Sequence, residues 1–129
     1  MKALIVESTH ELGALWTRHL ERYGIATRHA VGQTDAVELL ENEQFEILVV
    51  DLILDEGSPL AIADFANYKH PDSRVIFVTN TSFFSDGSIF RHCANACAFL
   101  QSDSPPDDLV AMVEHFGSTQ RNEPPLGSI

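Results

Sequence analysis

The sequence predicts an α/β domain built on a doubly wound parallel sheet. Three observations carry that prediction. Segment 46–51, EILVVD, holds four consecutive apolar residues, three of them β-branched, and ends in a carboxylate. A short continuous apolar run reads as a strand covered on both faces. A second such run, RVIFVT at 74–79, ends in a hydroxyl residue. Around these runs lie segments of helical period, so strands and helices alternate along the chain.

The elements follow in order. Residues 2–6 (KALIV) form the first strand, which ends at Glu7 and Ser8. Ser8 or Thr9 can cap the next helix, with Glu11 in its first turn. Over 11–23, Leu12, Leu15, Trp16, Leu20 and Tyr23 recur close to the helical period, and Gly24 ends the helix. Residues 25–31 alternate apolar and polar, as a half-buried edge strand does. Residues 33–43 form a short helix with Ala36, Val37, Leu39 and Leu40 inward. After EILVVD and a loop, Ser58 and Pro59 supply a cap and a first-turn proline. That helix covers 60–68 and ends near His70-Pro71. RVIFVT follows, then a helix capped by Ser85 or Asp86 and carrying Ile89, Phe90 and Cys93. The last strand covers 96–100. Pro105-Pro106 opens a final helix with Asp107 and Asp108 in its first turn, where acids suit the helix dipole. It carries Leu109, Val110, Met112, Val113 and Phe116 and is expected to stop near Gly117. Residues 118–129 read as a disordered tail, leaving one domain over 1–117. Five strands alternating with five helices, joined by right-handed crossovers, give a flavodoxin-like (βα)5 sheet of order 2-1-3-4-5.

Charge and composition narrow the function. The net charge of −11 argues against binding nucleic acid through its phosphates and favours a basic partner or a cation. No apolar run approaches the length of a membrane span, and the apolar N-terminus reads as a strand rather than a leader. A cytoplasmic location is expected. Cys93 and Cys97 could share a helix face and bind a metal, but read better as small core residues. The six histidines are scattered, and no nucleophile–base constellation is visible, so no enzyme is expected. His10 reads as an exposed helix start, the SDGS of 85–88 as a turn or cap, and Phe83-Phe84 as core or a partner patch. Asp51 stands out. The carboxyl ends of parallel strands are where ligands collect, and an isolated Asp there would otherwise be only a polar strand end or a cap.

With these elements placed, residues 2–116 resemble the receiver domain of two-component response regulators, of the CheY-like kind. The likeness rests on the buried strand ending in Asp51, on RVIFVT ending in Thr79, on an acid closing the first strand, on AFL at 98–100 and on Leu109. It implies a stand-alone response regulator in phosphorelay signalling. Asp51 would accept a phosphoryl group from a histidine kinase or phosphotransfer protein. Thr79 would hydrogen-bond that group, and Phe99 would be the aromatic that follows it. Mg²⁺ would be held by Glu7, Asp51 and Ile53. A downstream output protein, or a second copy in a homodimer, would read the face of the fourth helix, fifth strand and fifth helix, with no nucleic acid and no membrane involved.

The chain departs from the family pattern at four positions. Ser8 stands where a second acid is expected, Ser102 (or Gln101, with a gap of one residue) where a lysine is, and Asp55 and Asp103 where prolines are. Asp55, Glu56 and Asp103 would crowd Asp51 with like charge and oppose a further anionic group. The receiver is therefore expected to be degenerate. The alternative is a pseudo-receiver that is never phosphorylated and acts only as an interaction module. A flavin or small-ligand protein of the same topology is disfavoured, because the loop after the first strand, ESTHEL, has no glycine to cradle a phosphate.

Overall fold

The computed structural model describes residues 1–79 and 95–122, with side chains through 117. In chain order the elements are β1 (Lys2–Val6), α1 (His10–Arg22), β2 (Ala26–Ala30), α2 (Gln33–Asn42), β3 (Ile47–Asp51), α3 (Pro59–Lys69), β4 (Arg74–Thr79), β5 (Ala96–Gln101) and α4 (Pro106–Asn122). The five strands form one sheet of order β2-β1-β3-β4-β5, and every pair is parallel. This is the flavodoxin-like order expected from the alternation of elements.

The apolar strands explain the layering. Successive side chains on a strand point to opposite faces, so runs such as ALIV and ILVV feed two cores. Leu4, Leu48 and Phe77 join Leu40 and Ile62 on the side of α2 and α3. Ile5, Val49 and Ile76 join Trp16, Leu20, Leu109 and Val113 on the side of α1 and α4. Of these, only Trp16 and Leu109 show any exposure, 2% and 1%. Burying each such side chain contributes about 1.5–3 kcal/mol before the cost of ordering it. The register sets Val6 beside Val50 and Val50 beside Phe77, which aligns the carboxyl ends of β1, β3 and β4 along one edge.

Two local expectations change, and one irregularity is new. Neither Ser8 nor Thr9 caps α1 with its side chain. The Glu7 carboxyl instead takes the Thr9 N–H at 2.9 Å, and the Ser8 hydroxyl is turned to Val31. The last helix runs past Gly117 to Asn122. Gly117 is a packing position rather than a stop, because a Cβ there would lie 2.1 Å from the sulfur of Met1. Finally, β5 holds a register shift opposite Val75 and Ile76, with Cys97 as its extra residue. The cap and proline at Ser58-Pro59 form as expected, with Ser58 Oγ accepting the Ala61 N–H. The expected helix through Cys93, the Phe83-Phe84 pair, the 85–88 turn and the last seven residues of the tail lie outside the described residues.

Candidate functional site

Three polar residues meet at the carboxyl edge of the sheet. Glu7 follows β1, Asp51 ends β3 and Thr79 ends β4. Their exposures are 2%, 9% and 0%, low for polar groups at a strand end. Each arrives there because a buried strand ends at that residue. Glu7 also continues the ladder, donating its N–H to the Ala30 carbonyl at 2.9 Å. Asp51 turns one oxygen, Oδ1, back to the Ile53 N–H at 2.8 Å.

The electrostatics centre on Glu7. Its Oε2 accepts the Thr9 N–H, while Oε1 is buried without a donor from the protein. Burial, together with the Asp51 carboxylate alongside, raises the Glu7 carboxyl from 4.5 to about 8. Glu7 therefore holds its proton to higher pH than an exposed carboxyl does. An orphaned buried carboxyl oxygen beside a second carboxylate suits either a shared proton or a hard divalent cation, which prefers oxygen donors. Glu7 and Asp51 are the acidic donors available to such a cation. Among the described residues no cluster of three or more His, Cys, Asp or Glu could hold one.

The other expected site residues divide. Ser8 reaches the same edge, but its hydroxyl is committed twice, donating to the Val31 carbonyl at 2.7 Å and accepting the Asp55 N–H at 2.9 Å. Ile53 lies on the outgoing loop and is 57% exposed, with its N–H on Asp51. Ser102 stands next to Thr79 and donates its N–H to the Thr79 carbonyl at 2.7 Å. A short side chain therefore occupies the expected lysine position at this edge. Phe99 lies two residue pairs inside Thr79 on the sheet, opposite Phe77, and rests against the α2/α3 core.

The expected crowding is not uniform. Glu56 turns away to helix α2, where its carboxylate takes the Thr34 N–H at 3.0 Å and the Thr34 hydroxyl at 3.1 Å. Asp55 and Asp103 are solvent-exposed, so water screens their charges. Cys97 fits the core reading, since burial pushes its thiol up to about 11. His10 is exposed at the start of α1, as expected, with its ring 5.9 Å from that of His29.

Sequence reasoning missed His29, whose Nε2 lies 2.9 Å from the Glu7 carbonyl and so donates to it. It also missed the role of Glu56. Neither residue had a local signal, because each acts on a segment more than twenty residues away.

Comparison with known proteins agrees with the fold. No family model matches the chain. Over 78 residues, 60% of the chain, it is 33% identical to the response regulator protein PilR of Pseudomonas aeruginosa and 26% identical to the response regulator receiver protein CpdR of Brucella abortus. Those matches span 18% of PilR and 65% of CpdR. A Burkholderia pseudomallei response regulator, solved with a phosphorylated aspartic acid, calcium ion and citrate, superposes with a TM-score of 0.78. That comparison covers 99% of this chain and 75% of the other, at 24% identity. The chain thus has the CheY-like receiver fold, and its sequence is similar to response regulator receivers.

Proposed function

We propose that this chain is a signalling module that accepts a phosphoryl group on Asp51 from a histidine kinase or phosphotransfer protein and passes its state on by protein–protein contact. One observation carries the reading: two buried carboxyl groups and a buried hydroxyl, Glu7, Asp51 and Thr79, converge where three parallel strands end. An Asp51 oxygen attacks phosphorus. The P–N bond of the donor phosphohistidine breaks, its electron pair leaves with the imidazole nitrogen, and that nitrogen takes up a proton. Such a transfer is mostly positioning and charge compensation. Glu7 and Asp51 are the side chains that would hold Mg²⁺, with Ile53 on the adjoining loop, and the cation would supply charge neutralisation at the phosphoryl oxygens. Thr79 is the hydroxyl assigned to the phosphoryl group and Phe99 the aromatic that responds to it. The calcium and phosphoaspartate of the Burkholderia neighbour support this assignment by analogy.

A second reading rests on a specific observation. Ser8 and Ser102 supply neither a second acid nor a cation, and the Ser8 hydroxyl is already committed. An interaction module that is never phosphorylated would tolerate both. Intact mass after incubation with acetyl phosphate and Mg²⁺ separates the two readings. A phosphoryl adduct on the wild type that is absent from Asp51→Asn is the expected result, with Ser102→Lys raising its yield. No adduct under conditions that modify a standard receiver would leave the interaction module.

A further inference from the structure

Residues 52–58 lead out of Asp51 and are mostly exposed, yet four of their seven amides are engaged. Leu52 donates to the Val78 carbonyl at 2.8 Å. Ile53 donates to Asp51, Asp55 to Ser8 and Ser58 to Gln33 Oε1 at 2.8 Å. In return, the Glu56 carbonyl accepts the Gln33 N–H at 3.1 Å. Helix α2 begins at Gly32, which has no side chain to cap it. Its first-turn donor at Thr34 is satisfied instead by Glu56, from twenty-two residues away in sequence. A carboxylate at a helix N-terminus also meets the positive end of the helix dipole. The approach is close. A Cβ on Gly32 would lie 2.5 Å from Glu56 Oε1, and one on Gly57 would lie 2.1 Å from the Gln33 Cβ.

We propose that Glu56 is a positioning residue for the Asp51 site: by capping α2 from outside, it holds the 52–58 loop in the one conformation that keeps the Ile53 amide on Asp51. Ser8 is the second pin, joining Asp55 to the end of β2. The acceptor carboxylate is thereby held in one rotamer by a loop tied to the neighbouring helix. The functional part of this inference rests on Asp51 as the acceptor. The structural part does not, and the test treats them separately.

The experiment compares wild type, Glu56→Ala and Glu56→Gln by amide hydrogen exchange, without phosphodonor. A Gln side chain can still accept from Thr34 N–H, so it serves as the conservative rescue. In Glu56→Ala the Ile53 and Asp55 amides should exchange about tenfold faster, the scale of a lost hydrogen bond to a charged group. Core amides of β3 should keep their wild-type rates, and Glu56→Gln should restore Ile53 and Asp55. Unchanged exchange at Ile53 and Asp55 in Glu56→Ala overturns the proposal. So does equal acceleration across β3, which would make Glu56 a residue of general stability only. A second arm measures the initial rate of adduct formation with acetyl phosphate. A slower rate in Glu56→Ala, restored in Glu56→Gln, extends the positioning role to phosphoryl acceptance. If wild type forms no adduct, the acceptor reading fails, and the exchange arm still decides whether Glu56 sets the loop.

Discussion

A single carboxyl, Glu7, makes the sharpest chemical prediction. It holds its proton in the folded protein up to about 8, against an ordinary value of 4.5. Between those two values the folded state binds a proton that the unfolded state has released. Stability contributed by this group is therefore full at and below about 4.5, falls as the pH rises toward 8 and is flat beyond. In chelator-treated buffer, thermal melts of wild type should lose stability across that window relative to Glu7→Gln, which stays neutral and can still accept the Thr9 N–H. Parallel pH profiles for the two proteins would show that Glu7 is ionised in the fold. Asp51 was legible in the sequence because a buried strand points at it. The fate of Ser8 was not, because the partners of its hydroxyl, at Val31 and Asp55, come from two other loops.

At the level of elements, two glycines share a backbone and differ in surroundings. Gly24 follows α1 with φ +82° and has nothing within 4 Å of an added Cβ, whereas Gly57 has φ +86° and meets the side chain of Gln33. Gly24→Ala should therefore cost only the strain of a left-handed alanine, about 1 kcal/mol. Gly57→Ala should cost about 2–4 kcal/mol, because the loop must also leave α2. Urea unfolding of the two variants measures the difference, and equal losses would mean that the contact at Gly57 yields without cost. The elements themselves were largely readable. β1, β3 and β4 were carried by apolar runs, and α3 by its Ser58-Pro59 start. The extent of α4 was not, since Gly117 reads as a terminator until Met1 is seen beside it. The bulge at Cys97 was equally hidden, because it depends on how β5 meets β4 rather than on β5 alone.

For the whole molecule, strand count and alternation were enough to give the order of the sheet, because right-handed crossovers leave few other arrangements. The net charge of −11 has a similar reach. It favours the approach of a basic surface without naming the place of contact, and it repels an approaching anion until a cation or a proton offsets it. The division of the core by the sheet has an optical consequence. Trp16 is the only tryptophan in the chain, and it is buried on the α1/α4 side alone. Its fluorescence is thus a lamp set on one side of a wall, while circular dichroism sees both sides. If the two signals report the same midpoint in a denaturant titration, the halves melt as one cooperative unit. A tryptophan transition that comes earlier or later would show one layer of helices peeling from a sheet that still stands.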